Sequence, residues 1–380
     1  VDPGLESRGS AAAPEAAPSP EVATERLEEA LSGLSVGDVE AVHVDDQLTI
    51  SIRPRTPTDI RQIVQLAARH RVRVAVTRRL RPGVFALDLS PMSAIDAPDE
   101  KTCLVRVGAG AKVREVEARA IQAGMSLGPL LPSSLNKTVG AWLAGPTRGE
   151  RSIPPGRLET AALALEAVLA EGTFYRSKEA PRTATGPDLD HLLLGGEGRF
   201  GIITRATLRL LPRTLVEASA AREAPSVLEA IDAIRRATRH NLMPVEARWD
   251  RSRAVVEARF TGSGAAARSR RFGEARVSGR EIIRGHLELA GSWRAWAALS
   301  PLRPQAFQLV ALTGEGAFGA VELDSSDEAE TAAVHARAIG HTIVSPRRLR
   351  PAAEVGWSAG ASGVLRALES VTDPASVYRR

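Results

Sequence analysis

A single cysteine, Cys103, is all that 380 residues contain. That excludes an internal disulfide and any cysteine-clustered metal site. With no leader-like basic start and apolar core in the first residues, the expectation is a cytoplasmic protein. Lysine is nearly as scarce. Only Lys101, Lys112, Lys137 and Lys178 occur, so arginine supplies the other 46 of the 50 basic side chains. Aromatic residues are 4% of the chain, and no basic block is interleaved with them, which argues against nucleic acid as a partner. A net charge of +5 over this length is a modest field. No apolar run approaches the roughly 20 residues of a membrane helix. The seven histidines are scattered without metal-ligand spacing, so no metal is expected. There is no G-x-S-x-G elbow and no P-loop.

What is present is an alternation of strand and helix patterns. Residues 1–25, with "AAAPEAAPSP", read as a disordered tail. "LTISI" then alternates as a strand, and Thr56-Pro57 offers an N-cap followed by a first-turn proline. Ile60, Ile63, Val64 and Ala67 fall on one helical face. "VRVAV", "VFALDL" and "TCLVRVGAG" read as strands, which makes Cys103 a buried strand residue. A helix follows, with Val113, Val116, Ala120 and Ile121 inward. "GPLLPSSLNKTVGAWLAGPTRGERSIPPGR" is rich in turn formers and reads as a long connection. After Pro212 the texture changes to a separate helix-and-strand unit running to about residue 345.

Three glycine-bearing segments carry possible chemistry. Gly108-x-Gly110 lies between a strand and a helix, as a dinucleotide turn would, but Val113 replaces the third glycine and no acidic residue follows at the right distance. Ser133, Ser134, Thr138 and Gly140 offer hydroxyls and an open backbone to phosphate or a polar ring edge. Gly195, Gly196, Gly198 and Gly201 precede a strand and fit either a tight turn or close packing against a ligand.

In order along the chain, "FALDLSPMSAI", "VRVGAGAKVREVEARAIQAGMSLG", "LPSSLNKTVGAWLA", "TGPDLDHLLLGGEGRFGIITRATLRLLP" and a closing "ALESVTDP" resemble one family. It is the FAD-binding domain of the vanillyl-alcohol oxidase / p-cresol methylhydroxylase superfamily, and the chain is most similar to glycolate oxidase flavin subunits. The resemblance implies an α+β fold: a two-lobed FAD-binding domain of p-cresol methylhydroxylase type with an inserted α+β cap. The FAD domain would span 26–213 and the cap 214–345, with 346–380 returning to the FAD domain. Ser133, Ser134, Thr138, Val139, Gly140, Gly201, Ile202 and Ile203 match cofactor-contact segments. Glu246 and Arg248 match the cap strands that face substrate. No residue is assigned as catalytic.

The departures are as informative. The family's glycine-rich pyrophosphate loop is here the short "TRRLRPG". Arg78 and Arg79 would have to replace its backbone donors with guanidinium contacts. The connector holds no histidine, so FAD would be non-covalent. Ala141 stands where a second glycine follows Gly140. Two functions stay open. One is an FAD-dependent oxidoreductase passing hydride from a small 2-hydroxy acid or alcohol to flavin, alone or with a partner flavoprotein or iron-sulfur subunit. The other is a cofactor-poor relative with a structural or regulatory subunit role.

Overall fold

The structure, a computed structural model, describes residues 20–44, 47–77, 83–128, 130, 132–145, 161–180, 188–213, 217–273, 287–310, 312, 316–324, 328–338, 342–346, 368 and 377–378. Of the expected N-terminal tail, 1–19 lie outside this set, and Pro20–Ser32 is a helix. Its Leu27 and Ala30, three residues apart, are fully buried in the core, which gives this segment a reason to order.

The first lobe is a four-stranded sheet of β1 (Asp38–Val44), β2 (Gln47–Arg53), β3 (Arg73–Val76) and β4 (Val84–Leu87), in the order β1-β2-β4-β3. The β2–β4 and β3–β4 pairs are parallel. The crossover is the helix Pro57–His70, which starts where the sequence predicts. Thr56 Oγ1 accepts from the Asp59 amide at 3.1 Å, and the Asp59 carboxylate accepts from the Thr56 amide at 3.1 Å. This reciprocal cap stabilises the helix by roughly 1 kcal/mol. Its buried face is Ile60, Ile63, Val64 and Ala67. β4 is buried at every position, as an inner parallel strand must be.

The second lobe holds β5 (Leu104–Gly108), β6 (Met125–Ser126), β7 (Ala162–Val168), β8 (Phe174–Arg176), β9 (Ile202–Arg209) and β10 (Leu211–Pro212). Its main sheet runs β5-β9-β7-β8, all antiparallel, and β6 pairs with β10. Two details differ from the sequence reading. Cys103 is half-buried in the turn before β5, at φ 54°, and is not a strand residue. Ile121 is exposed, because one residue past Ala120 turns about 100° away from the buried face of the helix Val113–Gln122. The glycines after β5 answer to packing. A Cβ on Gly108 would stand 2.2 Å from the Met92 carbonyl oxygen, and one on Gly110 would stand 1.8 Å from that of Leu89. Gly110→Ala is therefore expected to destabilise the two lobes by about 3 kcal/mol, read by denaturant unfolding. Unchanged stability would contradict the packing.

The cap is a seven-stranded antiparallel sheet. Its strands are β11 (Glu217–Glu223), β12 (Glu246–Asp250), β13 (Val255–Thr261), β14 (Leu287–Ser292), β15 (Ala306–Val310), β16 (Gly316–Glu322) and β17 (Thr342–Pro346). They run in the order β11-β13-β12-β15-β16-β14-β17. Its own core, separate from that of the lobes, joins Ile231 and Ile234 of the helix Val227–Arg239 to Trp249, Phe260, Trp296 and Phe307. Both tryptophans satisfy their indole N–H, donating to the Ala224 and Ala317 carbonyls at 2.7 and 2.9 Å. Because strand side chains alternate, Trp249 on this core face puts Glu246 and Arg248 on the other face of the sheet.

Candidate functional site

A cleft of about 300 Å³ lies between the two lobes. The first lobe contributes β3 and the following Thr77, together with Val84 and Leu89. The second contributes Gly140, Ala141 and Ala144 from the helix Val139–Ala144, and Gly201, Ile202 and Ile203 where β9 begins. Aliphatic side chains and glycine backbone make most of these walls. The volume sits at the small end of ligand sites. Arg73 and Glu197 are the only ionisable carboxylate or guanidinium side chains among the described lining residues, and their formal charges cancel.

The helix Val139–Ala144 was hidden in a segment of loop-like composition. Thr138 starts it, accepting from the Ala141 amide at 3.3 Å, and Val139, Trp142 and Leu143 bury its inner face. Gly140 packs closely on Ala109 from that face, a reason for a small residue other than ligand approach. A Cβ there would meet Ala109 Cβ at 3.0 Å, and the Gly140 amide donates to the Ala109 carbonyl at 2.9 Å. Gly201 likewise packs on the Val168 carbonyl, which a Cβ would approach to 2.9 Å.

Four predicted contact residues, Gly140, Gly201, Ile202 and Ile203, line the cleft together. Val139 points into the core, Ser134 is fully buried, and Thr138 is engaged as the helix cap. Ser133 lies in the short helix Pro132–Leu135. Arg78 and Arg79 lie outside the described residues; Thr77 and Val84 line the cleft. Sequence reasoning missed the β3 wall, Glu197 and Tyr378. Tyr378 is one of only two tyrosines, the one available signal.

Glu246 and Arg248 do not line this cleft. On the cap sheet, Glu246 accepts from Arg248 Nε at 2.6 Å, Arg259 Nη2 at 2.8 Å and Gln308 Nε2 at 2.7 Å. Burial pushes its carboxyl up, but the charges and hydrogen bonds of Arg248 and Arg259 outweigh burial and hold it below the usual carboxylate range. A second perturbed pair, Tyr175 and Asp190, is raised in both members, chiefly by burial, and also lies away from the cleft. Among the described residues no group of three or more His, Cys, Asp or Glu side chains is arranged to hold a metal ion. No described helix is long and apolar enough to cross a membrane.

Residues 49–178 match the family described as FAD binding domain. The D-lactate dehydrogenase of Archaeoglobus fulgidus is 31% identical over 149 residues, 39% of this chain and 33% of its own length. An uncharacterized FAD-linked oxidoreductase of Escherichia coli K12 is 32% identical over 128 residues, 34% of this chain and 26% of its own. The alkyldihydroxyacetonephosphate synthase of Caenorhabditis elegans is 23% identical over 176 residues, 43% of this chain and 30% of its own. The chain thus spans a third or less of the length of these curated relatives. A solved alkyldihydroxyacetonephosphate synthase superposes with a TM-score of 0.62 at 16% identity, covering 89% of this chain and 78% of that one. The fold is the mixed α+β fold of that solved structure.

Proposed function

From an FAD binding domain whose matched segment supplies walls on both sides of the cleft, we propose that this chain binds FAD non-covalently between its lobes and oxidises a small 2-hydroxy acid or alcohol. When bound, FAD supplies an acceptor for the substrate's hydride. The observation that carries the reading is the cleft itself, with Gly140 and Ala141 on one side, β3 on the other and Ile202 and Ile203 beside them. These largely aliphatic residues fit flat rings. They give no net charge to a dianionic pyrophosphate, so Arg78 and Arg79 must supply it. Ser134, Thr138 and Val139 act behind the cleft wall, holding the segment that presents Gly140.

Glu246 and Arg248 enter as the polar cap face of the substrate side. There Arg248 and Arg259 share Glu246, and Glu217 lies 3.5 Å from Arg259, so the face presents a paired guanidinium–carboxylate network. Electrons would leave to a partner flavoprotein or iron-sulfur subunit in the cytoplasm. The test is anaerobic mixing of the FAD-loaded protein with D-lactate, glycolate and simple primary alcohols. Bleaching of the flavin band by one of them is expected. A flavin that stays oxidised with all of them would contradict the oxidase reading.

One observation favours a second reading. The connector from Thr77 to Gly83 holds one glycine, and the described cleft lining has no excess positive charge. In that reading the chain is a cofactor-poor structural or regulatory subunit, and it takes up no FAD.

A further inference from the structure

Tyr378 lines the same cleft, and Val377 precedes it. Val377 is wholly buried and Tyr378 is 4% exposed. β3 is an edge strand, so one row of its amides faces away from β4. One of these, Val74 N–H, donates to the Val377 carbonyl at 2.7 Å. The next residue reaches the other lobe, where the Tyr378 hydroxyl donates to the carbonyl of Val168, the last residue of β7, at 3.2 Å. That carbonyl is also the one against which Gly201 packs. Two consecutive residues therefore grip both lobes, and Tyr378 lines the cleft alongside Val74, Gly201, Ile202 and Ile203.

We infer that Val377 and Tyr378 form a clasp that holds the two lobes closed on the cleft and supplies one wall of the ligand site. Nothing in the matched segment 49–178 contains this wall. The chemistry beside Tyr378 is aliphatic and flat-sided, suited to a planar heteroaromatic group such as the adenine end of a dinucleotide. That choice of ligand rests on the reading that the cleft takes FAD. The clasp itself does not, because it is made by protein–protein hydrogen bonds.

The test uses the full chain, Tyr378→Phe, and a chain ending at residue 376. Hydrogen exchange at the Val74 amide is measured without ligand, and FAD affinity is measured by titration. Ending at 376 removes the acceptor of the Val74 amide, so its exchange should quicken by about fivefold or more. Tyr378→Phe keeps the ring and removes only the hydroxyl, so FAD should bind about fivefold more weakly while folding is retained. Unchanged Val74 exchange in the shortened chain overturns the clasp, whatever FAD does. Unchanged FAD affinity in Tyr378→Phe and in the shortened chain overturns the wall. If the full chain binds no FAD, the functional reading falls, the wall falls with it, and the exchange result alone decides the clasp.

Discussion

Replacing Arg78 and Arg79 together with alanine is expected to weaken FAD binding about a hundredfold or more, since each charge-assisted hydrogen bond contributes about 1.5–3 kcal/mol. The expectation follows from charge. The described cleft residues bring one guanidinium and one carboxylate, Arg73 and Glu197, and nothing in excess for a pyrophosphate. A glycine-rich connector would answer with a row of backbone donors, but "TRRLRPG" has a single glycine and three arginines. Isothermal titration at two salt concentrations measures the effect. Wild-type affinity should fall with salt more steeply than that of the double variant, because a screened charge has been removed. The lysine pair should recover only part of the loss, since a guanidinium fork binds phosphate bidentately and an ammonium does not. Equal affinity in the alanine pair would remove both arginines from the site.

Glu246→Ala is expected to destabilise the cap by about 3–5 kcal/mol, the usual result of removing one partner from a buried ion pair. Two guanidinium groups converge on this carboxylate, and a buried amide, Gln308, donates to it as well. Their loss of a common partner leaves positive charge with no answer on that face. Glu217 lies 3.5 Å from Arg259 and offsets part of it. The pH dependence has a definite sign. Glu246 is held below the usual carboxylate range in the fold, so its contribution is present above the ordinary glutamate value and is lost as pH falls through the lowered one. Chemical denaturation across the acid range should show the wild type losing stability more steeply than Glu246→Ala. Parallel pH profiles would show that the network contributes no linked stability.

The elements legible in the sequence are those whose signals are local. Thr56, Pro57 and the spacing of Ile60, Ile63, Val64 and Ala67 mark the helix Pro57–His70, and all of that information lies within one stretch of chain. The helix Val139–Ala144 was not legible, because its flanks are turn formers and its helical character comes from burying Trp142 and Leu143 against distant residues. Cys103 looked like strand because its neighbours are apolar. A turn made by Asp99, whose side chain accepts from the Lys101 amide at 2.9 Å, holds it out of the sheet. Gly140, Gly201, Ile202 and Ile203 were named through the family resemblance and line the cleft, and the two glycines pack closely on Ala109 and Val168, which no local pattern names. The segment 346–380 was expected to return to the lobes, but Tyr378 itself was not singled out, for a plain reason. Its partners, Val168 and the residues around Val74, are hundreds of positions away in the chain.

Equilibrium titration of the purified full chain with FAD, followed by flavin fluorescence, tests the central claim most directly. The account predicts saturable binding of one FAD per chain, released intact by acid precipitation because no covalent bond holds it. A protein that stays colourless after exchange from excess FAD, with free-flavin fluorescence unchanged throughout, would contradict it.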